Sequence, residues 1–356
     1  MKTSGISNFL KLLVSAVTTW VFAAFLFGFT RVWGIETLPA FERVLPFDLS
    51  RLLIQLMILG LATGIPFAIV DFILNHGWFN RQKYWFIILV KTVIQVVIAV
   101  FSVSILAFVS TNFFEMTTVN IIDFVLSPNT LLWIIFSGIV SSIIYFLQVI
   151  RTKVGSRILI NLLLGKYHKP RVESRIFMFL DMKDSTTHAE NLGHVRFSTL
   201  IQDSFSDLTN AILAHKVEVY QYVGDEAVLT WRIDEGFENA NCMLAYYTFK
   251  NTLKKRAHYY ENKYGFLPFF KAGVHLGEVT VSEVGIIKKE IAYHSDVLNT
   301  AARIQGKCNE FNAELLVSED LKIRLERPSF FNFQLIGGIS LKGKGNPVNI
   351  FKVTLT

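Results

Sequence analysis

Residues 176–181 read Ile-Phe-Met-Phe-Leu-Asp, a short apolar run that ends on a carboxylate. A continuous apolar run of this length is typical of a central β-strand that is covered on both faces. Further along the chain, from Phe197 to Leu208, apolar side chains recur at helical spacing. The segment therefore predicts a buried strand followed by a helix that packs on the same sheet.

A second acidic position lies on a predicted β-hairpin. Residues 217–223 alternate like a strand, residues 224–226 (Gly-Asp-Glu) form the turn, and residues 227–231 form the return strand. A long helix over about 236–264 and a further strand over 269–275 follow. This order of elements predicts an α/β sandwich with a ferredoxin-like core, in which helices pack on a mixed sheet.

The first strand and the hairpin each carry an aspartate at one end, Asp181 and Asp225. Two carboxylates at adjacent strand ends can bind a pair of hard divalent cations, which prefer oxygen ligands. Each aspartate taken singly could equally cap a helix or a turn. The pair indicates a metal site, and the capping alternative stays open at this stage.

Two further segments carry candidate polar groups. Asn299 and Arg303 are four residues apart on a predicted helix and therefore project from one face. An amide beside a guanidinium suits a ribose oxygen and a phosphate whose charge grows in a transition state. Residues 341–345 form a basic, Gly-rich turn in which Lys342 could reach a triphosphate. The alternatives are a solvated helix face and an ordinary hairpin tip.

The N-terminal half has a different composition. The chain has 356 residues, of which 52% are hydrophobic, and its mean hydropathy is +0.41. Apolar stretches long enough to cross a bilayer, about 20 residues each, predict four transmembrane helices. They run over residues 9–29, 52–74, 84–109 and 131–150. The second and the third contain Asp71 and Lys91, respectively, and both of these residues lie close enough to a helix end for the side chain to extend to the membrane surface.

The charged connections predict the orientation. Arg81 and Lys83 follow the second stretch and several Lys and Arg follow the fourth, whereas the connection over 110–130 has no Lys or Arg. Positive charges favour the cytosolic side of a membrane. We therefore expect a multi-pass protein of the cell (inner) membrane, with both termini and the C-terminal half in the cytoplasm. The formal net charge of +7 fits lipid headgroups, and we expect no nucleic-acid partner.

The resulting domains are a membrane domain over 1–150, a coupler over 151–174 and a catalytic domain over 175–356. The coupler has an apolar stripe at helical spacing, which fits either a solvated juxtamembrane helix or a parallel two-helix contact between protomers. The only two cysteines, Cys242 and Cys308, are far apart and provide no zinc-site spacing or disulfide framework.

The C-terminal half resembles the catalytic domains of class III adenylate and guanylate cyclases. Four short segments carry the resemblance in order and approximate spacing: 179–186 (Phe-Leu-Asp-Met-Lys-Asp-Ser-Thr), 222–226 (Tyr-Val-Gly-Asp-Glu), 296–303 (Asp-Val-Leu-Asn-Thr-Ala-Ala-Arg) and 341–345 (Leu-Lys-Gly-Lys-Gly). Each segment alone is a weak signal, and the four in order are a strong one.

The resemblance implies roles for these residues. Asp181 and Asp225, with the backbone carbonyl of Met182, match the ligands of two divalent cations, Mg²⁺ or Mn²⁺. Asn299 and Arg303 match the pair that acts on the transition state, and Lys342 matches the lysine that holds the terminal phosphates. The family pairs two domains head to tail, so one copy per chain implies a homodimer with two active sites at the subunit interface.

Two positions depart from the family pattern, and both concern the base. Gln221 stands where adenylate cyclases of the family have Lys and guanylate cyclases typically have Glu. Ala292 stands where adenylate cyclases have Asp or Thr and guanylate cyclases typically have Cys. The resemblance favours ATP as substrate and leaves GTP or a pyrimidine triphosphate open.

The alternatives are enzymes of another kind and a silent module. A diguanylate cyclase would need a Gly-Gly-Asp-Glu-Phe-like run, and residues 223–227 lack its first Gly and its final Phe. A non-catalytic dimerisation module would keep the fold without turnover, and the filled catalytic positions argue against it.

Overall fold

A computed structural model describes residues 2–32, 49–74, 79, 82–113, 122–123, 126–154, 160–161, 164–287, 289–325, 330–339 and 347–356. The chain divides into two compact units, Met1–Lys153 and Val154–Thr356. The predicted coupler over 151–174 contains residues 155–159 and 162–163, which lie outside the described residues. The predicted domain boundaries stay a prediction.

The N-terminal unit is built from four long helices: α1 (Lys2–Val32), α2 (Leu49–Leu74), α3 (Tyr84–Phe113) and α4 (Pro128–Val154). Each contains a stretch that is long and apolar enough to cross a membrane, over Phe9–Thr30, Leu49–Leu74, Trp85–Asn112 and Pro128–Ile150. The four predicted apolar helices are confirmed, with bounds shifted by at most three residues.

Small residues bring α1 and α2 close together. A Cβ at Gly60 would lie 2.5 Å from the Cα of Val21, and a Cβ at Gly64 would lie 2.9 Å from the Cα of Val17. Glycines at such crossings let two helix backbones approach and gain van der Waals contact, which drives helix association in lipid. The aromatic core beside this crossing includes Trp20, whose ring lies 6.4 Å from that of Trp133 on α4.

Two charged side chains of this unit, Asp71 and Lys91, pair with each other in its interior. The ammonium of Lys91 on α3 donates a hydrogen bond of 2.6 Å to Asp71 on α2, and their side chains are 4% and 0% exposed. Gln148 on α4 donates to the other carboxylate oxygen of Asp71 at 3.2 Å, and the Lys91 ammonium lies 4.5 Å from the ring centre of Tyr145. The prediction that both charges extend to the membrane surface is therefore wrong, because a partner on a neighbouring helix compensates each charge inside the protein.

The C-terminal unit is an eight-stranded sheet with helices on both faces. Its strands are β1 (Arg171–Met182), β2 (Glu218–Val223), β3 (Glu226–Arg232), β4 (Phe270–Val284), β5 (Glu290–His294), β6 (Leu315–Ser318), β7 (Phe331–Ile339) and β8 (Val348–Leu355). Its helices are α5 (Ser185–Ala214), α6 (Ile233–Phe237), α7 (Asn241–Lys255), α8 (Ala257–Tyr264), α9 (Asp296–Gly306) and α10 (Glu319–Ile323). The strand order is β2-β3-β1-β4-β6-β8-β7, with β5 paired to β4. Among the described strands, β4 and β6 form the one parallel pair. The predicted mixed sheet covered by helices is confirmed.

Strand β1 separates two hydrophobic cores. Ile176 and Met178 face the core that contains α5 and α7, whereas Phe177 faces the core that contains α9. Successive side chains of a strand point to opposite faces of the sheet. The apolar run of β1 is therefore continuous because both faces are covered, as the sequence predicted.

Three elements differ from the sequence-based expectation. The long helix predicted over 236–264 is broken at Asn239 and Ala240, which have left-handed backbone angles (φ 51° and 55°), and again at Arg256 (φ −103°). Strand β1 begins at Arg171, ahead of the apolar run. Strand β4 continues to Val284, because it pairs with the start of β1 and with β5 beyond His275. Gly277 within it leaves room for α9, since a Cβ there would lie 2.5 Å from Val297 Cγ2.

We predict that Lys91→Met strongly destabilises the N-terminal unit, because it leaves the Asp71 carboxylate buried without its cation. Removing one partner of a buried ion pair costs about 3–5 kcal/mol. Thermal loss of helical circular dichroism in detergent measures the effect, and Lys11→Met, at an exposed position of α1, is the matched control. Equal midpoints for the two variants would contradict the importance of the pair, and the double variant Asp71→Asn/Lys91→Met should recover part of the loss.

Candidate active site

Two aspartates meet at one end of the sheet. Asp181 is the penultimate residue of β1, where it lies opposite Glu226 of β3 on one side and Lys271 of β4 on the other. Asp225 lies in the two-residue turn between β2 and β3, which Gly224 allows by its left-handed backbone (φ +61°). Because β3 is the direct neighbour of β1, the turn brings Asp225 next to the end of β1.

The electrostatics of this cluster are unfavourable without a compensating cation. Burial, and then the nearby Asp225, raise the pKa of Asp181, while Lys271 and a hydrogen bond from Gln305 act in the opposite direction. Burial, and then Asp181 and Asp225, raise the pKa of Glu226 to about 7. One carboxylate oxygen of Asp225, Oδ2, is buried and has no hydrogen-bond partner among the residues that the structure describes. An orphaned anionic oxygen beside a second carboxylate fits the ligand set of a hard divalent cation.

The side chains at this place do not form a complete metal site by themselves. Within the described ranges, no group of three or more His, Cys, Asp or Glu side chains is arranged to hold a metal ion. Asp181 and Asp225 would need a further oxygen, which the backbone carbonyl of Met182, the last residue of β1, could provide. The arrangement therefore fits a cation that is also bound by a substrate or water.

Helix α9 carries the other pair of candidate residues. The side chain of Ser295 caps the helix by accepting a hydrogen bond from the N–H of Val297 (3.2 Å) and donates one to the carbonyl of Glu278 (2.8 Å). The face towards the sheet is buried and comprises Val297, Thr300, Ala301, Ile304 and Gln305. Asn299 is exposed and Arg303 is half-buried, one turn apart on the same side of the helix.

The C-terminal end of α9 packs directly on the backbone of β4. A Cβ at Gly273 would lie 2.2 Å from the backbone nitrogen of Gln305 and 2.7 Å from the carbonyl oxygen of Ala301. Only a glycine leaves room for a helix at this distance, which is a common use of glycine inside a strand. The position of Arg303 is therefore determined by this contact.

Three residues near Asp181 were not identified from the sequence. Gln305 donates a hydrogen bond to Asp181 Oδ2 at 3.0 Å, the ammonium of Lys271 lies 3.7 Å from the same oxygen, and Glu226 lies opposite Asp181. Glu226 directly follows Asp225, so its local sequence could have identified it. Gln305 and Lys271 are distant in sequence from Asp181, and only the sheet brings them together.

A basic cavity opens at the same end of the sheet. It has a volume of about 690 Å³ and its lining includes five lysines and two carboxylates: Lys183, Lys250, Lys254, Lys271, Lys352, Asp184 and Glu314. A volume of this size holds a small-molecule ligand. The excess of ammonium groups favours an anionic one.

The positions assigned to base recognition lie on β2 and β5. A bulge inserts Tyr220 as an extra residue of β2, so that the exposed Gln221 lies directly opposite Val228. Ala292 lies opposite Ser282 on β4. The ring centres of Tyr220 and Tyr293 lie 5.0 Å apart. These two tyrosines are next to Gln221 and Ala292 in the chain, so their ring contact links β2 and β5.

Lys342, the candidate for the terminal phosphates, falls within residues 340–346, which lie outside the described residues. The roles proposed for Asp181, Met182, Asp225, Asn299, Arg303, Lys342, Gln221 and Ala292 stay predictions.

Known proteins resemble the C-terminal unit. A family model described as "Adenylate and Guanylate cyclase catalytic domain" matches residues 168–353, about half of the chain. "Adenylate cyclase 2" of Rhizobium meliloti is 32% identical over 211 residues, which cover 59% of this chain and 58% of that protein. An "Adenylate cyclase" of Anabaena cylindrica is 25% identical over 184 residues, covering 49% and 36%, respectively. The chain thus spans less than two thirds of the length of either relative.

Solved structures share the fold. Two structures of a bacterial light-regulated adenylyl cyclase align with TM-scores of 0.55 and 0.52 at 17% and 18% identity. The first covers 65% of this chain and 67% of that chain, and the second covers 61% and 63%. At this level of identity the likeness shows a common fold.

We predict that Gly273→Ala moves α9 and lowers the stability of the C-terminal unit, because the new methyl group would overlap the backbone of the helix. Overpacking of this kind costs about 1–3 kcal/mol. Thermal unfolding measures the loss, and Gly306→Ala, where an added Cβ has no neighbour within 4 Å, is the matched control. Equal stability of the two variants would contradict the close approach.

Proposed function

This chain belongs to the adenylate and guanylate cyclase family, and on that premise we propose that it is a membrane-anchored enzyme that converts ATP to 3′,5′-cyclic AMP and pyrophosphate. The observation that carries the proposal is the meeting of Asp181 and Asp225 at the end of β1, where one Asp225 carboxylate oxygen is buried without a hydrogen-bond partner among the described residues. The names of the two relatives, both adenylate cyclases, support ATP as the substrate.

The reaction is an intramolecular displacement at phosphorus. A bond forms between the 3′-oxygen of the ribose and the α-phosphorus, and the bond from the α-phosphorus to the bridging oxygen of pyrophosphate breaks. Family members generally use divalent metal ions; when bound, such ions lower the pKa of the attacking hydroxyl and offset charge on the phosphates. Asp181, Asp225 and the carbonyl of Met182 would hold two of them. No side chain is assigned as the general base.

The remaining groups act on the substrate. Asn299 would orient the ribose, and Arg303 would stabilise the negative charge that develops at the α-phosphoryl group. Lys342 would hold the terminal phosphates. The five lysines of the basic cavity described above support an anionic substrate at this end of the sheet.

We further propose that two chains form a homodimer with two equivalent sites. In this arrangement Asp181 and Asp225 of one protomer would face Asn299 and Arg303 of the other. The exposure of Asn299 on α9 supports a role towards a second molecule. The four apolar helices suggest a membrane protein, and the positive charges beside them support a cytosolic cyclase unit and cytosolic termini.

Replacing either aspartate should abolish cyclisation and leave the fold intact, because Asp181 lies near the end of β1 and Asp225 lies in a turn, and neither belongs to a hydrophobic core. The purified full chain is assayed with ATP, GTP, CTP and UTP in the presence of Mg²⁺ or Mn²⁺. We expect turnover of ATP by the wild type and none by Asp181→Ala or Asp225→Ala. Asp234→Ala, at an exposed carboxylate on α6, is the control. A wild type without turnover of any nucleotide would refute the enzyme and favour a silent cyclase-like module.

Base selection provides a second test, which concerns Gln221. A flippable amide discriminates weakly between the hydrogen-bonding edges of adenine and guanine, whereas a carboxylate accepts only and should favour guanine. We expect Gln221→Glu to raise the ratio of GTP to ATP turnover by about tenfold, equivalent to about 1.4 kcal/mol. Gln334→Glu, at an exposed position of β7, is the control. Unchanged selectivity in an active Gln221→Glu enzyme would show that Gln221 does not contact the base.

A further inference from the structure

Gln305 is a buried amide whose hydrogen-bond partner is a proposed metal ligand 124 residues away in sequence. Its side chain is 7% exposed, and its Nε2 donates to Asp181 Oδ2 at 3.0 Å. A neutral amide that donates to a carboxylate favours the ionised form, which is the form that binds cations. The interaction therefore has a direction and a chemical consequence beyond packing.

The backbone of Gln305 packs directly on strand β4. Gly273 of β4 lies directly beneath its backbone nitrogen and Cα, and Ile304 beside it is fully buried. Because this backbone packs on the sheet and the side chain is buried, neighbouring atoms restrict the conformations open to the amide. The position of the donor is thus determined by the contact of α9 with the sheet.

The two groups that approach Asp181 differ in what they can do. The ammonium of Lys271 lies 3.7 Å from Oδ2, which is beyond a hydrogen bond, so it contributes charge without fixing an orientation. Gln305 contributes a directed hydrogen bond to the same oxygen. Within the described part of the chain, both of these contacts are made to Oδ2 rather than to Oδ1.

We infer that Gln305 is a positioning residue, which holds Asp181 in the orientation that binds the divalent cation of its own protomer. The inference rests on the proposed function. Gln305 touches neither substrate nor cation in this account. Without its amide, Asp181 can rotate, and cation binding must then restrict a carboxylate that the wild-type protein already holds in place.

Cation binding is measured directly, without turnover. Mn²⁺ is titrated into the purified full chain, and free Mn²⁺ is followed by electron paramagnetic resonance, with Asp181→Ala as the baseline for other sites. We expect Gln305→Leu to weaken Mn²⁺ binding about tenfold, equivalent to about 1.4 kcal/mol. Gln202→Leu, at an exposed position of α5, should bind Mn²⁺ like the wild type. Unchanged Mn²⁺ binding by a folded Gln305→Leu protein overturns the inference.

A variant that unfolds would not answer the question, so a second one is prepared. Gln305→Met keeps a flexible side chain of similar length and removes the donor. Thermal unfolding identifies which variants retain the fold, and a folded one is used for the titration. The expected result, a tenfold weaker affinity, is the same for either.

Mixed dimers separate positioning from a general structural effect. An Asp181→Ala chain is combined with an Arg303→Ala chain, and the heterodimer is isolated with two affinity tags. Its one intact site takes Asp181 from the Arg303→Ala chain. Gln305→Leu on that chain should raise the half-saturating Mg²⁺ concentration for turnover about tenfold, whereas Gln305→Leu on the Asp181→Ala chain should leave it unchanged. An equal effect from both chains overturns the inference, because a merely structural role would act from either.

The two hypotheses fail in different ways. If the wild type cyclises no nucleotide but Gln305→Leu still weakens Mn²⁺ binding, the proposed function is wrong and the positioning role stands. If the wild type is active and the variant binds Mn²⁺ normally, the positioning role is wrong and the proposed function stands.

Discussion

The antiparallel pairing of β1 with β3 and β4 is the interaction on which the rest of the C-terminal unit depends. It places a strand with apolar residues on both faces at the centre of the sheet, where it separates the core of α5 and α7 from the core of α9. The same register brings Glu226 and Lys271 to either side of Asp181. Burial of the apolar face residues stabilises this arrangement, and the polar residues at the strand end are positioned as a consequence.

The carboxylates of Asp181, Asp225 and Glu226 lie close together at that strand end, and their mutual repulsion lowers its stability. Asp181 and Glu226 have raised pKa values because burial and neighbouring carboxylates disfavour their ionised forms. One buried oxygen of Asp225 has no hydrogen-bond partner within the described ranges. A purely structural site would remove such a conflict by an apolar or neutral substitution. Local strain that the surrounding fold can compensate is typical of functional sites. In helix α9, one face is buried and packs on Gly273, whereas Asn299 on another face is exposed. The structural and the proposed functional residues of this helix thus lie on different faces.

The N-terminal unit resolves a similar conflict within itself. The charges of Asp71 and Lys91 are compensated across two helices, with Gln148 of a third helix on the remaining oxygen. A directed ion pair of this kind specifies which helix faces meet, whereas apolar contacts among leucine and isoleucine side chains discriminate poorly between faces. The close crossings at Gly60 and Gly64 add a second constraint that depends on shape rather than charge.

Features that depend on residues close together in the chain could be predicted from the amino-acid sequence. Four apolar stretches specify four long helices because length and hydropathy are local properties. The apolar run ending at Asp181 and the Gly224-Asp225 turn likewise specified a buried strand and a hairpin. Other features are evident only in the folded chain. They are the pairing of Lys91 with Asp71 and the hydrogen bond from Gln305 to Asp181. The breaks at Asn239 and Arg256 within one helical pattern are a further example. The two hydrogen-bonded pairs join residues that are 20 and 124 positions apart in the chain, and the helix breaks depend on packing against the sheet. The local periodicity of a sequence does not encode which distant side chain a residue will contact.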